Sequence, residues 1–264
     1  MDDSQFRQLL DRFGFSWAGY RRVRKGVKRR LSHHMQRTGC RNMGDYIEAI
    51  EADPEVRLQF ECLMTVSISR FFRDRGLWQS LDGGVLPILA KAEKVVTVWS
   101  AGCASGEEAY SFKILWEDRR RTHAPLPDLS ILATDLCPHY LERARDGVYS
   151  PSSMREIPEA VRPAFFERTA GGRYALKSWI KEGIEWKVHD LVSDPPGTAF
   201  DLTFLRNNVL TYYKDEVRIP AVTKVVDHMA PGGFLIVGRQ ERMPMEPAGL
   251  KRWGDSATIF QKQH

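Results

Sequence analysis

The sequence predicts an α/β fold with a Rossmann-like sheet, and three stretches carry the prediction. Residues 95 to 111, VVTVWSAGCASGEEAYS, pass from an apolar β-branched run through a loop of small residues into a helical pattern. LSILATD, Leu129 to Asp135, follows about 30 residues later as a second strand ending in an acid. FDLTFLRNNVL is apolar until Arg206, Asn207 and Asn208, polar residues at the edge where an open parallel sheet meets its ligand.

The loop Ser100 to Gly106 sets the chemistry. Small side chains let backbone N–H groups approach a ligand, and the following helix adds its own unpaired donors. The spacing Gly102 to Gly106 is neither a dinucleotide G-x-G-x-x-G nor a P-loop. Glu107 and Glu108 stand where phosphate charge would have to sit, so a cationic or amine-bearing cofactor suits the loop better than a pyrophosphate. Asp135, at the tip of the second strand, is placed for ribose hydroxyls.

Ahead of this core, residues 4 to 75 read as helices. Phe6, Leu9, Leu10 and Phe13 share one face, with Gly14 as a stop. Val23, Val27, Leu31 and Met35 mark a second helix ended by Gly39. Tyr46, Ile47 and Ile50 begin a third, and Asp53-Pro54 opens a fourth with Pro at its first position. Nine Lys or Arg and no acid lie between Arg21 and Arg41. Such a stretch suits an acidic protein face or nucleic acid, and otherwise reads as a solvated helix surface. His33 and His34 are adjacent and so fall on different faces, which argues against a shared metal; exposure is expected for both.

TVSISRFFRDR, 65–75, fits neither helix nor strand, and Arg73 in it is a candidate to enter a pocket at the domain junction. The organisation expected is a helical N-terminal domain at 1–76, a connecting helix at 77–94 and an α/β domain at 95–264, with a helix-hairpin insertion at about 150–184. In the insertion an amphipathic helix over 151–168 precedes YALKSWI, which pairs across a turn at Glu182-Gly183. IEWKVHDL is strand three, 215–229 a helix, Pro231-Gly232-Gly233 a turn, FLIVG strand five and ATIFQK the last strand.

Composition excludes several classes. A 42% hydrophobic content beside 28% charged residues is that of a globular chain with a core. No apolar run reaches the ~18 residues of a membrane span, and MDDSQFRQLL reads as a helix rather than a signal peptide. Cys40, Cys62, Cys103 and Cys137 lack C-x-x-C spacing, which argues against zinc and against disulfides and suits a reducing cytoplasm. Cys103 is expected to be a small space-filler.

WSAGCASGEEAYS, ILATDL with LERARDGVYS, FDLTFLRN with VLTYY, and MAPGGFLIVG together resemble the chemotaxis-receptor glutamate methyltransferases, the CheR family. SRFFRD and the basic helix extend the resemblance over nearly the whole chain. It implies an S-adenosylmethionine-dependent methyltransferase fold with a mixed sheet, a helical cap and a small inserted β-subdomain. It implies S-adenosyl-L-methionine contacts at Ser67, Ser69, Arg73, Gly102, Glu108, Asp135, Asp190, Leu191, Asn207 and Asn208, with Arg73 and Tyr212 flanking the methyl group. Thr211-Tyr212-Tyr213 and an inserted Asn208 depart from the family's strand-four motif, leaving open which asparagine meets the cofactor. Ser67 and Asp190 stand where asparagines are usual, and GRQERMP differs from the common G-H-S-E ending. The implied partner is an acidic chemoreceptor-like protein docking on the helix around Arg21–Arg41. Alternatives are another protein, a small molecule or RNA as substrate, or a cofactor-binding module without turnover; nucleic acid is disfavoured.

Overall fold

The computed structural model describes every residue except 67, 68, 123, 124, 194, 198, 245–248 and 264. Five helices precede the sheet: α1 (Asp3–Arg12), α2 (Trp17–Tyr20), α3 (Arg24–Arg37), α4 (Met43–Ala52) and α5 (Pro54–Met64). Their starts follow local chemistry. Asp2 and Gln5 form a capping box on α1, Asn42 caps α4, and Asp53 accepts from the N–H groups of Glu55 and Val56 beside Pro54. Phe6, Leu10, Tyr20, Leu31, Tyr46 and Phe60 are buried where these helices meet. His33 is exposed as expected, but His34 is only 3% exposed. Its Nδ1 lies 2.7 Å from the Tyr46 hydroxyl and its Nε2 3.0 Å from Gln59 Oε1, because α3 turns that face toward α4 and α5.

The expected connecting helix is α6 (Arg75–Ser80), a π-helical turn Leu81–Val85, and α7 (Leu86–Leu89). At Gly84 a Cβ would fall 2.1 Å from Trp253, so the glycine admits that indole.

The strands are β1 (Val96–Ala101), β2 (Leu129–Asp135), β3 (Val148–Tyr149), β4 (Phe166–Arg168), β5 (Tyr174–Leu176), β6 (Ile184–Val188), β7 (Phe200–Leu205), β8 (Met229–Val237), β9 (Leu250–Arg252) and β10 (Ile259–Lys262). Seven form one sheet in the order β6-β2-β1-β7-β8-β10-β9, parallel except where β10 pairs with β8 and β9. The order reverses between β1 and β7, which opens a crevice at the carboxyl ends of the central strands. Between them run α8 (Glu107–Thr122), α9 (Pro138–Asp146), α10 (Arg162–Phe165), α11 (Ser178–Lys181), α12 (Val209–Tyr212) and α13 (Asp215–Asp227). Apolar side chains pack on both faces of the sheet.

Several local expectations need correction. The helix expected over 151–168 is a 3₁₀ turn Pro151–Met154, the single turn α10, and β4. The hairpin turns at Gly171-Gly172, pairing β4 with β5, and α11 occupies the residues before Glu182-Gly183. With β3 these strands make a separate antiparallel sheet, and Phe166 packs edge-on to Phe71 at 5.2 Å. Pro231-Gly232-Gly233 lies inside β8, opposite a shift in the β7 register. A Cβ on Gly233 would fall 2.8 Å from the carbonyl oxygens of Ala230 and Phe200, so close backbone packing explains the glycine better than a turn does. Finally, Cys62 and Cys137 are joined by a disulfide, against the expectation of none. Their separation of 75 positions carries no local signal; only tertiary packing brings them together. Cys103 is buried, as a space-filler should be.

Candidate active site

The end of β1 turns through Gly102, whose φ is +75°. A Cβ there would lie 2.5 Å from Asn208 Nδ2 and 3.2 Å from Leu191, so only glycine lets the chain pass. The N–H groups of Gly102 and Cys103 both donate to Thr134 O at 2.8 Å, tying the turn to β2. Ala104 N donates to Asp135 Oδ2 at 2.8 Å and Cys137 N to Asp135 Oδ1 at 3.0 Å. Burial pushes the Asp135 carboxyl above the usual aspartate range, more than these N–H donors pull it back.

Glu108 opens α8 on the other side of the turn. Its Oε1 accepts from Ser100 Oγ at 2.8 Å and its Oε2 from Arg206 Nη1 at 3.0 Å. Glu107 is buried beside it, with one oxygen lacking a partner among the described residues; burial raises its carboxyl, and a hydrogen bond to Ser69 partly offsets this. Arg206 ends β7 with its side chain only 3% exposed, and also donates to Asp74 Oδ2 at 2.6 Å and to Arg73 O at 3.3 Å. The sequence marked Arg206 as polar at the sheet edge and assigned it no part.

Arg73 sits between two residues with left-handed backbone, Phe72 (φ +51°) and Asp74 (φ +67°). Such conformations cost roughly 1–3 kcal/mol each and persist where neighbours fix them. Here Phe72 N donates to Ser111 Oγ at 2.8 Å, Trp78 Nε1 to Arg73 O at 2.9 Å, and Phe71 is fully buried against Tyr149 and Phe166. The segment thereby aims Arg73 at the sheet edge, where its Nη2 donates to Asn207 Oδ1 at 3.2 Å.

Asn207 is left-handed as well (φ +57°), and its N–H donates to Glu241 Oε2 at 2.8 Å. Glu241 also accepts from Gly238 N at 2.7 Å and Thr211 Oγ1 at 2.5 Å, and burial raises its carboxyl. GRQERMP thus keeps a glycine and a glutamate in the places of G-H-S-E, and the sequence reading missed Glu241. Asn208 turns inward: Nδ2 donates to Ala101 O at 2.6 Å and Oδ1 accepts from Val209 N at 2.7 Å. Tyr212, on α12, packs against Tyr20 of α2 with ring centres 4.8 Å apart. Burial raises its hydroxyl, with the Arg73 charge lowering it and Glu241 raising it.

These side chains frame two adjoining recesses that share Val66, Gly102, Ala104 and Asn207. The larger holds Asp135, Asp190, Leu191, Asn208 and Tyr212, with Tyr20, Glu61 and Met64 as its helical wall. The smaller holds Ser69, Arg73, Glu108 and Arg206. Every candidate from the sequence therefore gathers at one crevice except Ser67, which lies outside the described residues. Glu61 was not foreseen, since helical periodicity marks only the apolar face of α5. Its carboxyl is raised by burial and then by Asp190, against the pull of Arg57. The basic run on α3 is partly engaged within the chain: Arg30 donates to the carbonyls of Leu63 and Thr65, and Lys28 pairs with Asp3.

A sheet order reversing beside β1, with a glycine turn after β1 and carboxylates on α8 and at the tip of β2, has the form of a cofactor-binding α/β crevice. The family profile described as CheR methyltransferase, SAM binding domain, matches residues 67–257. The chain belongs to that family. The chemotaxis protein methyltransferase of Listeria innocua is 34% identical over 224 residues, spanning 84% of this chain and 82% of that one. The putative methyltransferase Cher3 of Pseudomonas putida is 29% identical over 250 residues, 90% of this chain and 89% of its own. Chemotaxis protein methyltransferase 1 of Pseudomonas aeruginosa is 29% identical over 225 residues, 82% and 81% of the two chains. The chain is an S-adenosylmethionine-dependent methyltransferase of α/β fold, as the resemblance implied.

Proposed function

We propose that this enzyme methylates glutamate side-chain carboxylates of a chemoreceptor-like protein in the cytoplasm, forming methyl esters. The observation that carries the reading is the convergence of Arg73 and Tyr212, from opposite ends of the chain, on recesses sharing Gly102, Ala104 and Asn207.

The residues suit the cofactor. Gly102 leaves a cradle that a Cβ would fill, and Asp135 is held by two backbone N–H groups with lone pairs to spare for ribose hydroxyls. Glu108 would face the amino group of the methionine part, with Ser69 alongside. Asp190 and Leu191 would frame the adenine, and Asn207 and Asn208 would line the cofactor's other side. S-adenosylmethionine, when bound, supplies an electrophilic methyl group on a positively charged sulfur.

The chain's own residues then position and exclude. A glutamate carboxylate, with its pKa near 4.3, is ionised at neutral pH and needs no base. Arg73 holds it by charge-assisted hydrogen bonds, and the Tyr212 hydroxyl donates one more. Alignment with the methyl carbon and removal of water supply the rate. Phe15, Tyr20 and Met64 close the helical side against solvent. The exposed basic residues of α3 draw in an acidic receptor surface.

Transfer of tritiated methyl from labelled cofactor to base-labile carboxyl esters of a receptor cytoplasmic domain tests the proposal. Label on RNA, or cofactor binding without transfer to any acceptor, would refute it. Arg73→Ala should abolish transfer while circular dichroism stays near wild type; unchanged transfer would remove Arg73 from the chemistry.

A further inference from the structure

The disulfide joins two elements that both line the larger recess. Cys62 is on α5, whose Glu61 and Met64 line the helical wall together with the adjacent Thr65; Cys137 caps α9 just beyond Asp135 and Leu136, which line the sheet wall. Cys137 is fully buried and its N–H holds Asp135 Oδ1, while Cys62 is half-buried and so the more accessible of the two residues. The Cα atoms are 5.5 Å apart, a separation a disulfide spans without moving the backbone. A weaker polar contact, Thr65 Oγ1 to the Tyr140 hydroxyl at 3.5 Å, crosses at the same place. The other two cysteines are unsuited to exchange: Cys103 is buried with its thiol pushed far up by burial, and Cys40 is bonded locally to Thr38.

We propose that Cys62 and Cys137 form a reversible redox modification site, whose oxidised form staples the helical wall to the cofactor's carboxylate and slows cofactor exchange. The co-substrate is a low-molecular-weight disulfide. The Cys62 thiolate attacks one of its sulfurs, forming a mixed disulfide and expelling one thiolate. The Cys137 thiolate then attacks Cys62 Sγ and expels the second. Both cysteines are oxidised by one electron each, two protons leave, and the small disulfide is reduced to two thiols. Thiol reductants run the sequence backward. Opening of the helical wall is the step that lets ligand pass, and the staple opposes it. The effect on exchange rests on the cofactor assignment above; the cross-link itself does not.

The full chain is incubated with oxidised glutathione or with dithiothreitol, then mapped without reduction and assayed for release of labelled S-adenosylhomocysteine. The oxidised protein should yield the linked Cys62 and Cys137 peptides and two titratable thiols, against four after reduction. Release should slow on oxidation by on the order of tenfold, as for an enzyme gated by a lid. Cys62→Ser should release at one rate under both conditions. Absence of the linked peptide, or equal release rates from linked and reduced wild type, would overturn the proposal. A reduced protein that binds no S-adenosylhomocysteine would refute the cofactor assignment, while the peptide map would still decide the cross-link.

Discussion

Replacing Arg206 by methionine keeps most of the side-chain volume and removes the cation between Asp74 and Glu108. The two carboxylates, 27% and 13% exposed, are then left facing a site built for positive charge. Removing one partner of a buried ion pair costs roughly 3–5 kcal/mol, and the partial exposure of Asp74 argues for the low end, ~3 kcal/mol. At about 2–4 °C per kcal/mol for a chain near this size, Tm should fall by ~6–12 °C. Urea unfolding of Arg206→Met, Glu108→Gln and the double variant isolates the pair. If the cost is an orphaned carboxylate, the double variant is more stable than the two single losses imply, by about 1–3 kcal/mol. Losses that add within about 0.5 kcal/mol would refute the reasoning, because Arg206 would then act through packing alone. Methyl transfer should fall further than stability does, since Arg206 also holds Asp74 and the Arg73 carbonyl.

Asp135→Asn leaves one of the N–H groups of Ala104 and Cys137 facing an amide NH₂, so cofactor affinity should drop by about 1–3 kcal/mol in isothermal titration; wild-type affinity would separate Asp135 from the ribose. Ionised Asp135 accepts from hydroxyls more strongly than the neutral acid, and its pKa is raised, so wild-type affinity should fall on acidification at a pH above the ordinary aspartate value; a curve flat down to about pH 4 contradicts this. For stability the sign is opposite. The raised carboxyls of Asp135, Glu107 and Glu241 impose no penalty below their unfolded pKa values and a full one above their folded values, so their joint contribution weakens as pH rises, which urea midpoints across that range will register. Phe71→Ala empties a fully buried site and should cost about 3–5 kcal/mol, with loss of transfer as the Arg73 segment loosens; a Tm near wild type would show that the segment is held elsewhere.

Short-range signals account for what the sequence disclosed. β2 and α9 begin and end where expected because a dense apolar run stops at Asp135, Pro138 starts a helix, and Gly147, at φ +67°, ends it. Two- and three-residue strands such as β3, β4 and β5 are too short to show a period, so the small sheet was read as a helix and a misplaced hairpin. Gly102, Glu108 and Asp135 were legible because each sits at the end of its own element, whereas Glu61 lies inside α5. Arg206 was not assigned a part because its partners lie 98 and 132 positions away, and Glu241 because it closes on Asn207 across 34. The Cys62–Cys137 bond is invisible for the same reason.

Among the described residues, the non-glycine positions with positive φ are Phe72, Asp74, Ala104 and Asn207, and all four lie in the crevice or beside Arg73. Each is pinned by at least one hydrogen bond from outside its own segment: Phe72 N to Ser111, Asp74 to Arg206, Ala104 N to Asp135, Asn207 N to Glu241. Three of the four clamps use a carboxylate. A carboxylate offers about four acceptor positions, and a backbone N–H fills one. Asp135, with both oxygens already oriented by the fold, would therefore meet a ligand with little left to reorganise, and on the function proposed above the strain at these positions goes into aiming Arg73 and its neighbours.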